Sequence, residues 1–68
     1  MPHVDITMYP GRSREIKSRL AAKVQQAIAD ELKVDKGVIS VSIEDVPKEE
    51  WQEHLKKYKG EDLYIKPE

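Results

Sequence analysis

The sequence predicts an α+β fold built on one β-α-β unit, and three observations lead to this prediction. Residues 3–9 and residues 38–44 each alternate apolar and polar side chains with a period of two, which is typical of half-buried strands. Between them, apolar residues recur at about 3.6-residue intervals, which indicates one face of a helix. A strand, a long helix and a strand in this order predict two parallel strands with a right-handed crossover.

A turn separates the predicted first strand from the predicted long helix. Pro10 and Gly11 supply turn chemistry after the strand, and Ser13 is a suitable N-cap for the helix. The apolar stripe of the helix consists of Ile16, Leu20, Val24, Ala27, Ile28 and Leu32. Its length predicts an amphipathic helix of about five turns, at about 3.6 residues per turn.

The segment after the second strand predicts a short second helix and a C-terminal tail. Pro47 suits the first turn of a helix, and Trp51, Leu55 and Tyr58 then recur at helical spacing. Gly60 marks the end of this helix. Residues 63–65 are apolar, and we expect them to form either a brief strand or an arm that reaches a partner.

The length of the chain predicts a single domain, residues 1–68, that associates with copies of itself. A domain this small buries a limited core and usually needs disulfides, a metal or a partner subunit. The chain has no Cys, and His3 and His54 have no companions at metal-ligand spacing, so we expect no metal site. Self-association is the remaining way to cover the open edges of a two-stranded sheet.

The charge balance argues against a nucleic-acid or membrane partner. There are 12 Lys and Arg residues against 13 Asp and Glu residues, whereas a nucleic-acid binder needs a basic face. The sequence contains no apolar run of membrane-spanning length and no signal-peptide core. We therefore expect a soluble cytoplasmic protein.

Pro2 is the residue whose position most clearly indicates a catalytic role. Methionine before proline is normally removed during synthesis, which leaves a secondary amine at the chain end. Period two places Pro2 on the same face as Val4, and Arg12 lies just past the end of the strand. Burial against apolar residues and a nearby cation both disfavour the charged form of an amine. We therefore expect a neutral base, provided that Met1 has been removed.

Several segments together resemble one known family. The opening Met-Pro-His-Val-Asp-Ile, the turn at residues 11–13 and the strand at residues 38–43 resemble the 4-oxalocrotonate tautomerase family. The opening and residues 43–51 are most similar to its PptA-like bacterial branch. The resemblance covers roughly residues 2–55 and implies a tautomerase (MIF-like) subunit. Members of the family form hexamers as trimers of dimers and the PptA-like branch forms dimers, so we favour a homodimer over a homohexamer.

The resemblance also implies a set of site residues and a reaction. Pro2 matches the general base that moves a proton between an enol hydroxyl and carbon. Arg12 matches the arginine that binds a substrate carboxylate, which suits the paired N–H donors of a guanidinium. Trp51 matches the aromatic residue that walls the pocket. No cofactor or metal is implied, and the expected partner is a small carboxylate-bearing enol or keto acid.

Ser40 departs from the family pattern. Better-known members carry a second arginine on the second strand, where it polarises the substrate carbonyl. Loss of such a donor typically costs on the order of 10²–10³ in rate. We therefore expect a phenylenolpyruvate-like monocarboxylate rather than a dicarboxylate as the favoured substrate, with Ser40 donating a weaker hydrogen bond to it.

Other functions are compatible with the same residues. A relative that uses Pro2 to hydrate or dehalogenate small unsaturated acids is one alternative, and an oligomerising module without catalysis is another. A strand-helix-helix DNA-binding dimer fits less well, because the charge is nearly neutral and a strand follows the long helix. His3 is expected to face away from the Pro2 pocket, and His54 is expected on the exposed side of the short helix.

Overall fold

The predicted β-α-β unit is confirmed in a computed structural model, which describes residues 1–67. Strand β1 (His3–Met8) is followed by helix α1 (Arg14–Leu32) and strand β2 (Ser40–Asp45), and then by the short helix α2 (Trp51–Leu55). The two strands are parallel and form a two-stranded sheet. Glu68, the last residue of the predicted single domain, lies outside the described residues.

The register of the sheet separates an apolar face from a polar face. Val4 pairs with Val41 and Ile6 pairs with Ile43, and the β2 members of these pairs line cavities against α1. The intervening pairs carry the polar residues of both strands, among them His3 opposite Ser40. Because strand side chains alternate between faces, these polar residues lie on the side of the sheet that α1 does not cover.

Helix α1 begins and ends at well-defined caps. The Ser13 hydroxyl accepts a hydrogen bond of 3.2 Å from the Ile16 backbone N–H, which confirms the predicted N-cap. The helix ends at Lys33, whose φ of 58° is left-handed and whose N–H donates to the Ala29 carbonyl. The observed length of 19 residues agrees with the predicted five turns.

Two side chains attach α1 to the segment around β2. The Gln25 amide donates to the backbone carbonyls of Lys36 and Ile39, at 2.9 and 3.1 Å. Lys17 forms an ion pair of 2.7 Å with Asp45 at the far end of β2. These contacts fasten the helix at both ends of the strand and keep the helix over the apolar face of the sheet.

The C-terminal half differs from the sequence prediction in three places. Strand β2 begins at Ser40 rather than at residue 38, because the Asp35 side chain caps one turn of 3-10 helix at Lys36–Val38. Helix α2 ends at Leu55. A tighter turn follows, closed by a hydrogen bond of 3.2 Å from the Tyr58 N–H to the Leu55 carbonyl. Residues 63–65 form no strand, so the second alternative, an arm that reaches a partner, stays a prediction.

The core of the described chain is small. Its buried apolar side chains are Ala29, Ile39 and Val46. The apolar side chains of Ile16 and Leu32 on α1 are 44% and 56% exposed, so part of the helical stripe has no cover within one subunit. This uncovered surface accords with self-association, which stays a prediction for this chain.

Candidate active site

The structure brings two of the predicted site residues, Arg12 and Trp51, together at the carboxyl end of β1. They share a cavity of about 510 Å³. Its lining consists of Thr7, Met8, Tyr9, Arg12, Leu20 and Trp51. A guanidinium beside two aromatic rings provides paired N–H donors for a carboxylate and flat apolar walls for the rest of a small acid.

The Tyr9–Trp51 contact explains why residues so far apart in sequence line one cavity. The two ring centroids are 5.1 Å apart and the ring planes are nearly perpendicular, at 83°. Tyr9 directly follows β1, whereas Trp51 begins α2. Val46, the residue that follows β2, is buried, and its N–H donates a hydrogen bond of 2.8 Å to the Met8 carbonyl. This bond holds the chain that leads to α2 beside the end of β1.

Pro2 lies at the opposite end of β1 from this cavity. Its carbonyl accepts a hydrogen bond of 3.3 Å from the Ser40 N–H, and its side chain is half-buried. Seven residue steps, from residue 2 to residue 9, separate it from Tyr9, or about 23 Å at about 3.3 Å per residue. This distance exceeds the Debye length of about 8–10 Å in ordinary salt. Within one subunit, the charge of Arg12 at the far end of β1 is therefore largely screened from Pro2.

Ser40 lies at the Pro2 end of the sheet but on its polar face. Its hydroxyl is 2.6 Å from Nδ1 of His3, the residue that it opposes in the register. The predicted orientation of His3, away from the apolar face of Val4, agrees with this contact. Ser40 is therefore separated within one subunit from the cavity that Arg12 lines.

The polar face of the sheet carries a hydrogen-bonded chain that the sequence analysis did not identify. Nε2 of His3 lies 3.1 Å from the Ser42 hydroxyl, which donates to the Asp5 carboxylate at 2.5 Å. A hydrogen bond to Asp5 and the charge of that carboxylate raise the pKa of the Glu44 carboxyl. Hydrogen bonds from Glu44 and Ser42 lower the pKa of Asp5. The alternation of polar residues on both strands is the sequence signal from which this face could have been identified.

The expectation that His54 lies on an exposed helix side is wrong. Its ring lies between Trp51 and Tyr58, with centroid distances of 6.1 and 6.0 Å. Nε2 of His54 is shielded from solvent and has no hydrogen-bond partner within residues 1–67. The reason is that the rings of Trp51 and Tyr58 lie on either side of the His54 ring and cover it.

Neither a metal site nor a membrane span is found in the part of the chain that the structure describes. Within residues 1–67, no three His, Asp or Glu side chains are grouped so that they could hold a metal ion. In the same residues, no helix combines the length and the apolar character needed to cross a bilayer.

The β-α-β fold places an arginine and two aromatic rings around one cavity, which suits a protein that binds a small molecule. Residues 2–56 match the family model described as tautomerase enzyme. The chain therefore belongs to the tautomerase family, and it is an isomerase. The family resemblance predicted from the sequence is confirmed, whereas membership of the PptA-like branch stays a prediction.

Two curated relatives agree with this assignment. A probable tautomerase of Xylella fastidiosa strain 9a5c is 34% identical over 55 residues, which cover 81% of this chain and 67% of the relative. A 2-hydroxymuconate tautomerase of Comamonas testosteroni is 39% identical over 51 residues, which cover 75% of this chain and 81% of the relative. Both support tautomerase activity in this chain.

Proposed function

We propose that this tautomerase interconverts the enol and keto forms of small 2-hydroxy-dienoate or phenylenolpyruvate-like acids. The observation that carries the proposal is the cavity in which Arg12 lies beside Tyr9 and Trp51. Arg12 binds the substrate carboxylate there, and the rings hold the apolar part of the substrate. Pro2, freed by removal of Met1, acts as the general base.

The proposed reaction moves one proton within the substrate. The Pro2 nitrogen accepts the proton of the enol hydroxyl, and the electron pair of that O–H bond forms the carbonyl. The enol double bond supplies the electron pair that takes the proton back from Pro2 at carbon. A half-buried position favours the neutral amine that this step needs.

The composition of the cavity supports an aromatic or dienoic monocarboxylate. The edge-to-face pair of Tyr9 and Trp51 provides flat walls, and Arg12 is the cation among the lining residues. Comamonas testosteroni 2-hydroxymuconate tautomerase acts, by its name, on a dicarboxylate. Ser40 of this chain is uncharged, so a second carboxylate finds no guanidinium at that position. We therefore place phenylenolpyruvate-like acids ahead of dicarboxylates.

A complete site requires two subunits. Pro2 precedes β1 and Arg12 follows it, and the six residues of the strand span about 20 Å at about 3.3 Å per residue. The edge of β1 that does not pair with β2 is free in the described chain. If two such edges pair antiparallel about a two-fold axis, the start of each strand lies beside the end of the other. Pro2 of one subunit then faces Arg12 and Trp51 of its partner, with two equal sites in a homodimer.

The first test is an assay of phenylenolpyruvate ketonisation, in which the rate is measured from the decrease in the ultraviolet absorbance of the enol. Intact mass first establishes that Met1 is absent from the sample. Pro2→Ala is expected to slow the reaction by about 10²–10⁴-fold, the usual contribution of a general base. Pro10→Ala, in the exposed turn after β1, is the matched control and should keep the wild-type rate. Equal rates for Pro2→Ala and wild type would exclude the role of Pro2.

The shared site is tested by mixing two inactive variants. Pro2→Ala and Arg12→Ala chains are unfolded together and refolded. In a mixed dimer, one of the two sites receives an intact Pro2 and an intact Arg12, so random pairing should restore about a quarter of the wild-type rate. No restoration, with mixed dimers verified by mass, would show that both residues come from one subunit.

A further inference from the structure

The hydrogen bonds on the polar face select one tautomer of a neutral His3 ring. The Ser42 hydroxyl has one proton, and it donates this proton to the Asp5 carboxylate. Ser42 therefore accepts from His3, so Nε2 of His3 carries a proton. Nδ1 of a neutral imidazole is then an acceptor, and the Ser40 hydroxyl donates to it at 2.6 Å.

This arrangement contains the parts that activate a serine. The Ser40 oxygen has a base within hydrogen-bond reach, and that base is held in one tautomer by a second partner. The carboxylate of Asp5, two hydrogen bonds away from the ring, stabilises positive charge on His3 through Ser42. Ser13, by comparison, uses its hydroxyl to cap α1.

We propose that Ser40 is a nucleophile that accepts acyl groups from small activated esters, with His3 as its general base. The Ser40 oxygen forms a bond to the ester carbonyl carbon while its proton moves to Nδ1 of His3. The bond from that carbon to the leaving oxygen then breaks, and the leaving alcohol takes the proton from His3. Water attacks the Ser40 ester by the same route and releases the acid, so atoms and protons balance.

Access and charge on this face are compatible with the reaction. His3 and Ser40 are both exposed, so a small ester reaches the oxygen without displacing other side chains. Asp5 and Glu44 place negative charge along the chain of hydrogen bonds, and Lys57, from beyond α2, is one of the cations near them. The activity uses the polar face of one subunit, so it does not depend on the proposed role of Pro2.

The test is acetylation by p-nitrophenyl acetate, with the modified residues located by peptide mass. Acetyl esters on serine are removed by hydroxylamine, whereas amides on Pro2 or lysine are not. Ser18, an exposed serine on α1, serves as the internal control. We expect Ser40 to be acetylated about 10²–10⁴-fold faster than Ser18, which is the usual contribution of a general base.

Two variants separate the contribution of His3 from general exposure. His3→Gln keeps a hydrogen-bonding side chain but no base, and it should reduce the labelling of Ser40 to the rate of Ser18. Ser42→Ala removes the link to Asp5 and should slow the labelling less. Far-ultraviolet circular dichroism and melting curves of each variant establish that it is folded. Equal labelling of Ser40 and Ser18 in the wild type, or undiminished labelling in folded His3→Gln, would overturn the proposal.

Discussion

The indole of Trp51 meets the ring of Tyr9 edge to face, with 5.1 Å between the ring centroids. This contact joins the end of β1 to the start of α2, and both rings line the cavity that contains Arg12. One pair of side chains thus stabilises the C-terminal half of the chain and shapes the candidate pocket. Changes at Trp51 should therefore affect both the folding and the activity of the protein.

Trp51→Ala should lower the free energy of unfolding by about 1–3 kcal/mol, less than for a fully buried aromatic residue, because Trp51 is half-buried. Urea unfolding at one fixed protein concentration measures the change, since association also contributes to stability. Trp51→Phe keeps a ring against Tyr9 and should retain most of the stability. Equal losses for the Ala and Phe variants would contradict a role for the ring–ring contact.

Arg12→Ala should raise the KM for phenylenolpyruvate by roughly 10–100-fold, because a hydrogen bond to a charged group contributes about 1.5–3 kcal/mol. Arg12→Lys keeps the charge but loses the paired donors, so its KM should be intermediate. Steady-state ketonisation kinetics measure both. Arg19→Ala, on the exposed face of α1, is the control and should leave KM unchanged. A KM for Arg12→Ala equal to that of Arg19→Ala would show that Arg12 does not bind substrate.

Glu44→Gln should stabilise the protein at neutral pH relative to wild type, and this gain should shrink in acid. The pKa of Glu44 is raised in the folded state by its hydrogen bond to Asp5 and by the Asp5 charge, so the folded chain holds that proton more tightly than the unfolded chain does. Protonated Glu44 therefore stabilises the folded state below the ordinary Glu pKa of about 4.3, and this stabilisation is lost as pH rises through the raised pKa of the folded state. The amide of Gln donates to Asp5 at every pH.

Melting temperatures of Glu44→Gln and wild type between pH 4 and pH 8, at about unit steps, measure this difference. The lowered pKa of Asp5 has the opposite effect. Ionised Asp5 stabilises the folded state, and this stabilisation is lost as pH falls below the ordinary Asp pKa of about 3.9. Most of the Asp5 effect therefore lies below the range of the experiment. Glu31→Gln on α1 is the matched control. A difference that does not vary with pH would be inconsistent with a raised pKa of Glu44.

Ser13→Ala should cost about 1 kcal/mol of stability, because the Ile16 N–H loses the hydroxyl that caps it. Ser18→Ala, inside the same helix and exposed, should be neutral or slightly stabilising, since alanine has the higher helix propensity. Urea unfolding of the two variants compares them directly. Similar effects at both positions would indicate that the cap does not contribute.

Local features were predictable because their causes lie within a few residues of one another. The alternation around Val4, the stripe of α1 and the cap at Ser13 each depend on neighbours along the chain, and each is confirmed. The start of β2 was misplaced because the Asp35 cap competes with an alternation that extends back to residue 38. The position of His54 was wrong because the inward face of a five-residue helix depends on what that helix packs against.

The sequence by itself determined the β-α-β order, the parallel strands and the family, since periodicity and short motifs are properties of the chain. Only the tertiary structure decided that Arg12 joins Trp51 and Tyr9 in one cavity. It alone placed His3 against Ser40 and the Ser42 hydroxyl against Asp5. The physical reason is the register of β1 with β2, which is set by packing between segments nearly forty residues apart (37 for His3 and Ser40).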